Sequence, residues 1–197
     1  MKDIASLLTA NALALGIAIA AGWSAQSLML VYWAQSVTIG VAYIVRMLSL
    51  QRYSTAGLTM NGRPVPATAA ARVRVVLFFA LHYGFFHVVY LAFLLSEGAA
   101  GFDRWLAVAV VAFLVNHAYS FRYNRALDRR GKPNLGTLMF TPYLRIVPMH
   151  LTIIVGGMLG AGTATLLLFG MLKTCADVAM HVVEHRQLRR APAPETA

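Results

Sequence analysis

Five of the six histidines, His82, His87, His117, His150 and His181, stand inside stretches that are otherwise apolar, together with Gln35, Asn116, Lys173 and Asp177. Ionisable groups at membrane depth are costly and mark working sites by default. The sharpest pattern is Lys173, Asp177, His181 and His185, which recur every four residues. Each step of four turns a helix by only about 40°, so the four form one polar stripe. Asp177 can pair with Lys173 on one side or His181 on the other, and the second spacing is one at which two ligands reach a single metal ion. His82 and His87 are five apart, about 140° around a helix, and cannot point the same way. His87 shares its face with Tyr83 and Tyr90, an aromatic stripe able to hydrogen-bond.

Neutral imidazoles with one carboxylate suit zinc, and three protein ligands with an open fourth position make such a site catalytic. The expected ligands are three or four of His82, His117, His150, Asp177 and His181, with Gln35, His87, Asn116 and Lys173 as further members of the polar cluster. A membrane-embedded hydrolase acting on an ester or amide is the corresponding reaction class. Haem held by two histidines from different helices is a variant. A second class is a proton-coupled carrier or relay, since histidine titrates near neutrality and Lys173 with Asp177 forms a switchable pair. For 197 residues this entails a homo-oligomer. A third is a non-catalytic membrane scaffold, its polar groups serving as interhelical contacts of about 0.6–2 kcal/mol. The sequence has no Gly-rich phosphate loop, no Ser-His-Asp spacing and no CxxC pair.

The elements that must position these groups follow from composition. Of the residues 59% are hydrophobic and 12% charged, against roughly 45–50% and 25% in soluble domains. Six apolar blocks lie near 4–22, 25–48, 73–95, 105–121, 143–160 and 163–183, each about long enough to cross hydrocarbon. The fold class expected is all-α: a polytopic bundle of six transmembrane helices forming one domain over 1–190, with a disordered tail at 191–197. Lys2, the short apolar run and Ala18-Ile19-Ala20 give the first block a rival reading as a cleavable signal peptide, opposed by its length. Fifteen of the seventeen Lys and Arg fall at the start, between blocks two and three, between four and five, or after six. That sidedness puts both termini in the cytoplasm and the protein in a bacterial inner membrane. A net charge of +10 distributed in this way argues against a nucleic-acid partner and for membrane lipid. Arg46, Arg122 and Arg145 read as anchors snorkelling to the interface. The stretches 51–71 and 133–142, rich in Pro and Gly, read as loops, and Pro148 as a kink that frees a carbonyl. Cys175 reads as a packed structural thiol.

Tyr32-Trp33-Ala34-Gln35-Ser36 with Ile39-Gly40, then His82-Tyr83-Gly84-Phe85-Phe86-His87, Asn116-His117 with Ser120-Phe121 and Asn124, Pro142-Tyr143 with Arg145-Ile146 and His150, and Lys173-Thr174 with Asp177 resemble a family of small bacterial multi-pass integral membrane proteins of unknown function. The resemblance runs over nearly the whole chain. In that family the position of Gln35 is often a carboxylate. The likeness implies a membrane bundle and no particular activity.

Overall fold

The computed structural model describes residues 22–96, 104–159 and 163–190, with Leu8, Ala12, Leu15, Gly16 and 18–20 of the first block. Some side chains inside the later helices, among them Asn116, His117 and His181, fall outside that description, as do the tail at 191–197 and most of the first block.

The described part of the first block is helical and stops at Gly22, whose φ of +67° needs no Cβ. Gly22 N donates to Ile19 O and Trp23 N to Ala18 O, the paired bonds that close a helix end on a left-handed residue. Helix α1, Ala25–Ser49, starts two residues later, where the Ser24 hydroxyl accepts from Ser27 N at 3.1 Å. Helices α2, Ala69–Ser96, and α3, Arg104–Arg130, follow. A short helix α4, Leu135–Phe140, runs through a 3-10 segment, Thr141–Arg145, into α5, Ile146–Leu159, and α6 spans Thr163–Arg190. Helix α1 is the hub, packing on α2, α3, α4, the 3-10 segment and α6.

Among the described residues three stretches are long and apolar enough to cross a membrane: Ala25–Ser49, Ala69–Ser96 and Leu135–Val155. No more than half of each is buried within the protein. The remainder is apolar: Leu77, Leu81, Phe85, Val88 and Leu95 form an exposed ridge along α2, a surface that water would penalise and hydrocarbon accepts.

Two segments expected as loops are built. Residues 59–64 form a hairpin, Thr59–Met60 against Arg63–Pro64, turned by Asn61 (φ 52°) and Gly62 (φ 73°). An Asn-Gly pair in a two-residue turn is the local sequence signal for this structure. Its flanks Leu58 and Val65 are buried and bonded, Val65 N donating to Leu58 O at 3.0 Å. In 133–142, Asn134 caps α4 by accepting from Thr137 N, while Leu135, Leu138 and Met139 pack into the core. Ser54 N donates to Pro133 O and Leu135 N to Ser54 O, tying both built segments together at one end of the bundle.

Helix α1 meets α2 closely at Gly40, where an added Cβ would stand 2.5 Å from Tyr83 Cε1; at Gly84 it would meet nothing within 4 Å. Overpacking costs about 1–3 kcal/mol, whereas alanine for glycine inside a helix contributes about 0.5–1 kcal/mol. Gly40→Ala should therefore lower the thermal midpoint of the detergent-solubilised protein and Gly84→Ala should leave it level or raise it. Equal midpoints for the two variants would show that Tyr83 does not fill the space beside Gly40.

Candidate functional site

The stripe on α2 comes together as its spacing implies. Phe79, Tyr83, His87 and Tyr90 are buried in line, with Phe79 and Tyr83 ring centroids 4.9 Å apart and Tyr83 and His87 4.2 Å apart. His87 Nδ1 lies 2.8 Å from Tyr83 O, a carbonyl that only accepts, so this nitrogen carries a proton. His87 Nε2 is 3.0 Å from Ser36 Oγ, which is 2.7 Å from the Tyr83 hydroxyl. The Tyr83 hydroxyl also lies 3.0 Å from Ser36 O, so its one proton can go to that carbonyl or to Ser36 Oγ. Ser36 is fully buried, and Gly40, one turn along α1, makes room for the Tyr83 ring.

His82, about 140° around α2 from His87, is exposed beside that stripe, and Tyr143 touches both His82 and Tyr83. Its ring stacks on Phe78, and Nδ1 is 2.9 Å from the Tyr143 hydroxyl. His150, also exposed, places Nδ1 3.0 Å from the Tyr90 hydroxyl. His82 itself and Tyr90, the residue of α2 that His150 meets, are eight residues apart, about 12 Å of helix rise, so the two imidazoles meet α2 at different heights. The physical reason is that the fifth apolar span starts at Leu135, not Tyr143, which carries His150 deeper than the loop assignment allowed. Among the described residues no three His, Cys, Asp or Glu side chains are grouped to hold a metal ion; the side chains of His117, His181 and Asn116 lie outside the description.

The stripe on α6 is engaged at its first step. Lys173 Nζ donates to Asp177 Oδ2 at 2.7 Å, and Arg145 Nη2 lies 3.6 Å from Asp177 Oδ1. All three side chains are at most 17% exposed. The face of Tyr32 completes the group: Arg145 Cζ is 5.7 Å and Lys173 Nζ 5.6 Å from its ring centroid, within cation–π range. Gln35 is buried one turn along α1 from Tyr32. Cys175 is exposed on α6 rather than packed.

Arg145 is not an interfacial anchor. It is the middle residue of the span Leu135–Val155 and is buried. Residues 141–145 are wound as a 3-10 helix just ahead of Pro148, whose missing N–H leaves the carbonyl four residues back without its α-helical donor. Thus Pro148 shapes the segment that presents Tyr143 and Arg145 inward. Arg46 is not an anchor either: Nε and Nη2 grip Asp128 Oδ2 and Oδ1 at 2.8 and 3.0 Å, with both side chains about nine-tenths buried. Arg122 is exposed, as expected. Tyr83 is marked by its spacing from His87, but neither Asp128, in a run of arginines, nor Ser36 and Tyr143 have a spacing that assigns them a partner; the small residues Ser36 and Gly40, four apart, are the signal for a close helix approach.

Removing one partner of a buried ion pair strands the other and costs about 3–5 kcal/mol, while an apolar pair of similar volume is often neutral. Asp128→Leu should therefore strongly lower the thermal midpoint, and Arg46→Met combined with Asp128→Leu should restore most of it. A double variant as unstable as Asp128→Leu alone would mean that the pair is not isolated from other charges.

No curated protein and no solved structure matches the chain. A family model matches residues 2–194, and by it the chain belongs to a family of unknown function, DUF6498.

Proposed function

We propose that the protein is a six-span protein of the bacterial cytoplasmic membrane, both termini cytoplasmic, whose polar interior works as a proton-coupled relay or carrier. The observation that carries this is the His87–Ser36–Tyr83 chain, because its bonds are satisfied in two proton arrangements. With His87 neutral, Ser36 O–H donates to Nε2 and Tyr83 O–H donates to Ser36 Oγ. With His87 charged, Nε2–H donates to Ser36 Oγ, Ser36 O–H donates to Tyr83 Oη, and Tyr83 O–H donates to Ser36 O. A proton arriving at Tyr83 Oη moves each hydroxyl proton one place along and leaves an imidazolium, with no heavy atom displaced. Each described imidazole meets a hydroxyl rather than another imidazole or Asp177, which favours proton movement over zinc or haem ligation.

The tie between the hairpin segment and the start of α4 supports the topology. It sets the loop after α1 and the loop after α3 at the same end, as an outward and a returning crossing require, and both carry the cations of the expected inner side. The carrier includes association of copies, because 197 residues enclose little space for a path of their own.

Protein reconstituted in liposomes with an internal pH-sensitive dye should collapse an imposed pH gradient. Ser36→Ala should slow that collapse about tenfold or more, as expected for a removed proton-transfer group, and Asp177→Asn should abolish it. Wild-type rates in both variants would sink the relay; stoichiometric zinc in the purified protein, lost in His181→Ala, would replace it with the metal site.

A further inference from the structure

We infer that the centre of the bundle binds an oxoanion, a carboxylate or phosphate group, in the fork of Arg145 with Lys173 beside it. This names a cargo class for the proposed carrier and rests on that proposal for transport, though not for binding.

The inference starts from charge. Two cations, Arg145 and Lys173, and one anion, Asp177, are buried together, with Arg145 at the middle of a stretch long and apolar enough to cross a membrane. Asp177 gives its short bond to Lys173 and reaches Arg145 only at 3.6 Å. Arg145 Nε and Nη1 are buried without a hydrogen-bond partner among the described residues. The arginine side chain is nine-tenths buried, so water from outside does not serve these donors. The same chain shows what a satisfied buried arginine looks like: Arg46 closes a two-point grip on Asp128. Arg145 presents the same planar fork, shaped for carboxylate or phosphate, and among the described residues no carboxylate closes a two-point grip on it: Asp177 Oδ1, also without a hydrogen bond, stays 3.6 Å from Nη2.

The chain has little with which to fill that fork. Of its seven acidic residues, Asp3, Glu97, Asp103 and Glu195 lie outside the apolar blocks, and Asp128 is held by Arg46. Glu184 is seven residues past Asp177, two turns nearer the end of α6. An ordered water would take up the free N–H groups yet leave the positive charge uncompensated in a low-dielectric interior. A ligand that brings two acceptor oxygens and a negative charge answers both deficits. The Tyr32 hydroxyl, buried against Arg145, can accept from the guanidinium and still offers its own O–H as a further donor beside the fork.

Thermal unfolding of the purified full-length protein in phosphatidylcholine nanodiscs tests this without any flux. Inorganic phosphate and acetate, each titrated against chloride at equal ionic strength, should raise the midpoint saturably. Arg145→Lys, which keeps the charge and loses the fork, should weaken the effect about tenfold, and Arg52→Gln, an exposed cation, should leave it unchanged. If Arg145→Lys fails to fold, the wild-type comparison decides: identical shifts with chloride overturn the inference, as does equal weakening in Arg52→Gln. Nanodiscs containing phosphatidylglycerol separate the sources. Loss of the phosphate response there assigns the fork to a lipid headgroup, and its survival assigns it to a soluble anion. Anion binding without proton flux would retain the site and discard the carrier; proton flux without anion binding would do the reverse.

Discussion

Two apolar helices in hydrocarbon gain little from touching, because lipid tails are as apolar as the side chains they replace. The contact between α1 and α2 is instead set by polar bonds spaced along its length. Gln26 Nε2 donates to Leu94 O at 2.6 Å, Trp33 Nε1 to His87 O at 2.8 Å, and Ser36 pairs with Tyr83 and His87. As residue numbers rise along α1 from 26 through 33 to 36, the partners on α2 fall from 94 through 87 to 83. That is a single antiparallel register, and a slip of one turn would break all three contacts. Gly40 extends the same line by admitting the Tyr83 ring. Since α1 also touches α3, α4 and α6, its register against α2 governs where Tyr32 and Arg46 stand.

The two buried arginines follow from that frame. Arg46, in the last turn of α1, meets Asp128 near the end of α3 in a closed pair, with its Cζ 4.8 Å over the Tyr43 ring. Arg145 arrives by a different route. Helix α4 is capped by Asn134, held by Asn134 Nδ2 donating to Ala56 O, and runs inward before the 3-10 turn delivers Arg145 against α6. Pro148 makes the tighter winding acceptable by removing an N–H that an α-helix would use. The packed hairpin segment is therefore part of what holds the centre in place, since Ser54 and Ala56 brace the start of α4.

What was legible in the sequence is what periodicity and punctuation control. The helix end at Gly22, the face shared by Tyr83, His87 and Tyr90, the divergence of His82 from His87 and the Lys173–Asp177 pair follow from spacing alone. Pro and Gly misled at 133–142 and 51–71: Asn134, a good N-cap, and Asn61-Gly62, a good hairpin turn, were outweighed by the general association of these residues with loops. Taking 133–142 as a loop moved the start of the fifth apolar block to Tyr143, and Arg145, then close to its edge, read as an interfacial anchor. The Arg46–Asp128 pair was hidden for another reason. It joins residues 82 apart, and nothing in a local pattern connects them.

The partner each imidazole has chosen bears on what the interior can do. Where histidine ligates a metal through one nitrogen, the other donates to a carbonyl or carboxylate that fixes the tautomer. His87 has such a carbonyl on Nδ1, but its Nε2 is occupied by the Ser36 hydroxyl. His82 and His150 each spend Nδ1 on a tyrosine hydroxyl. A hydroxyl donates and accepts, so its bond to an imidazole survives a change of tautomer and a change of charge; a carbonyl or carboxylate partner would survive only while the nitrogen keeps its proton. Three imidazoles from two helices, each paired with a hydroxyl from a neighbouring segment, make hydrogen bonds that tolerate moving protons, and one turn along α1 from Ser36, the partner of the buried one, Tyr32 faces a buried group of two cations and one anion.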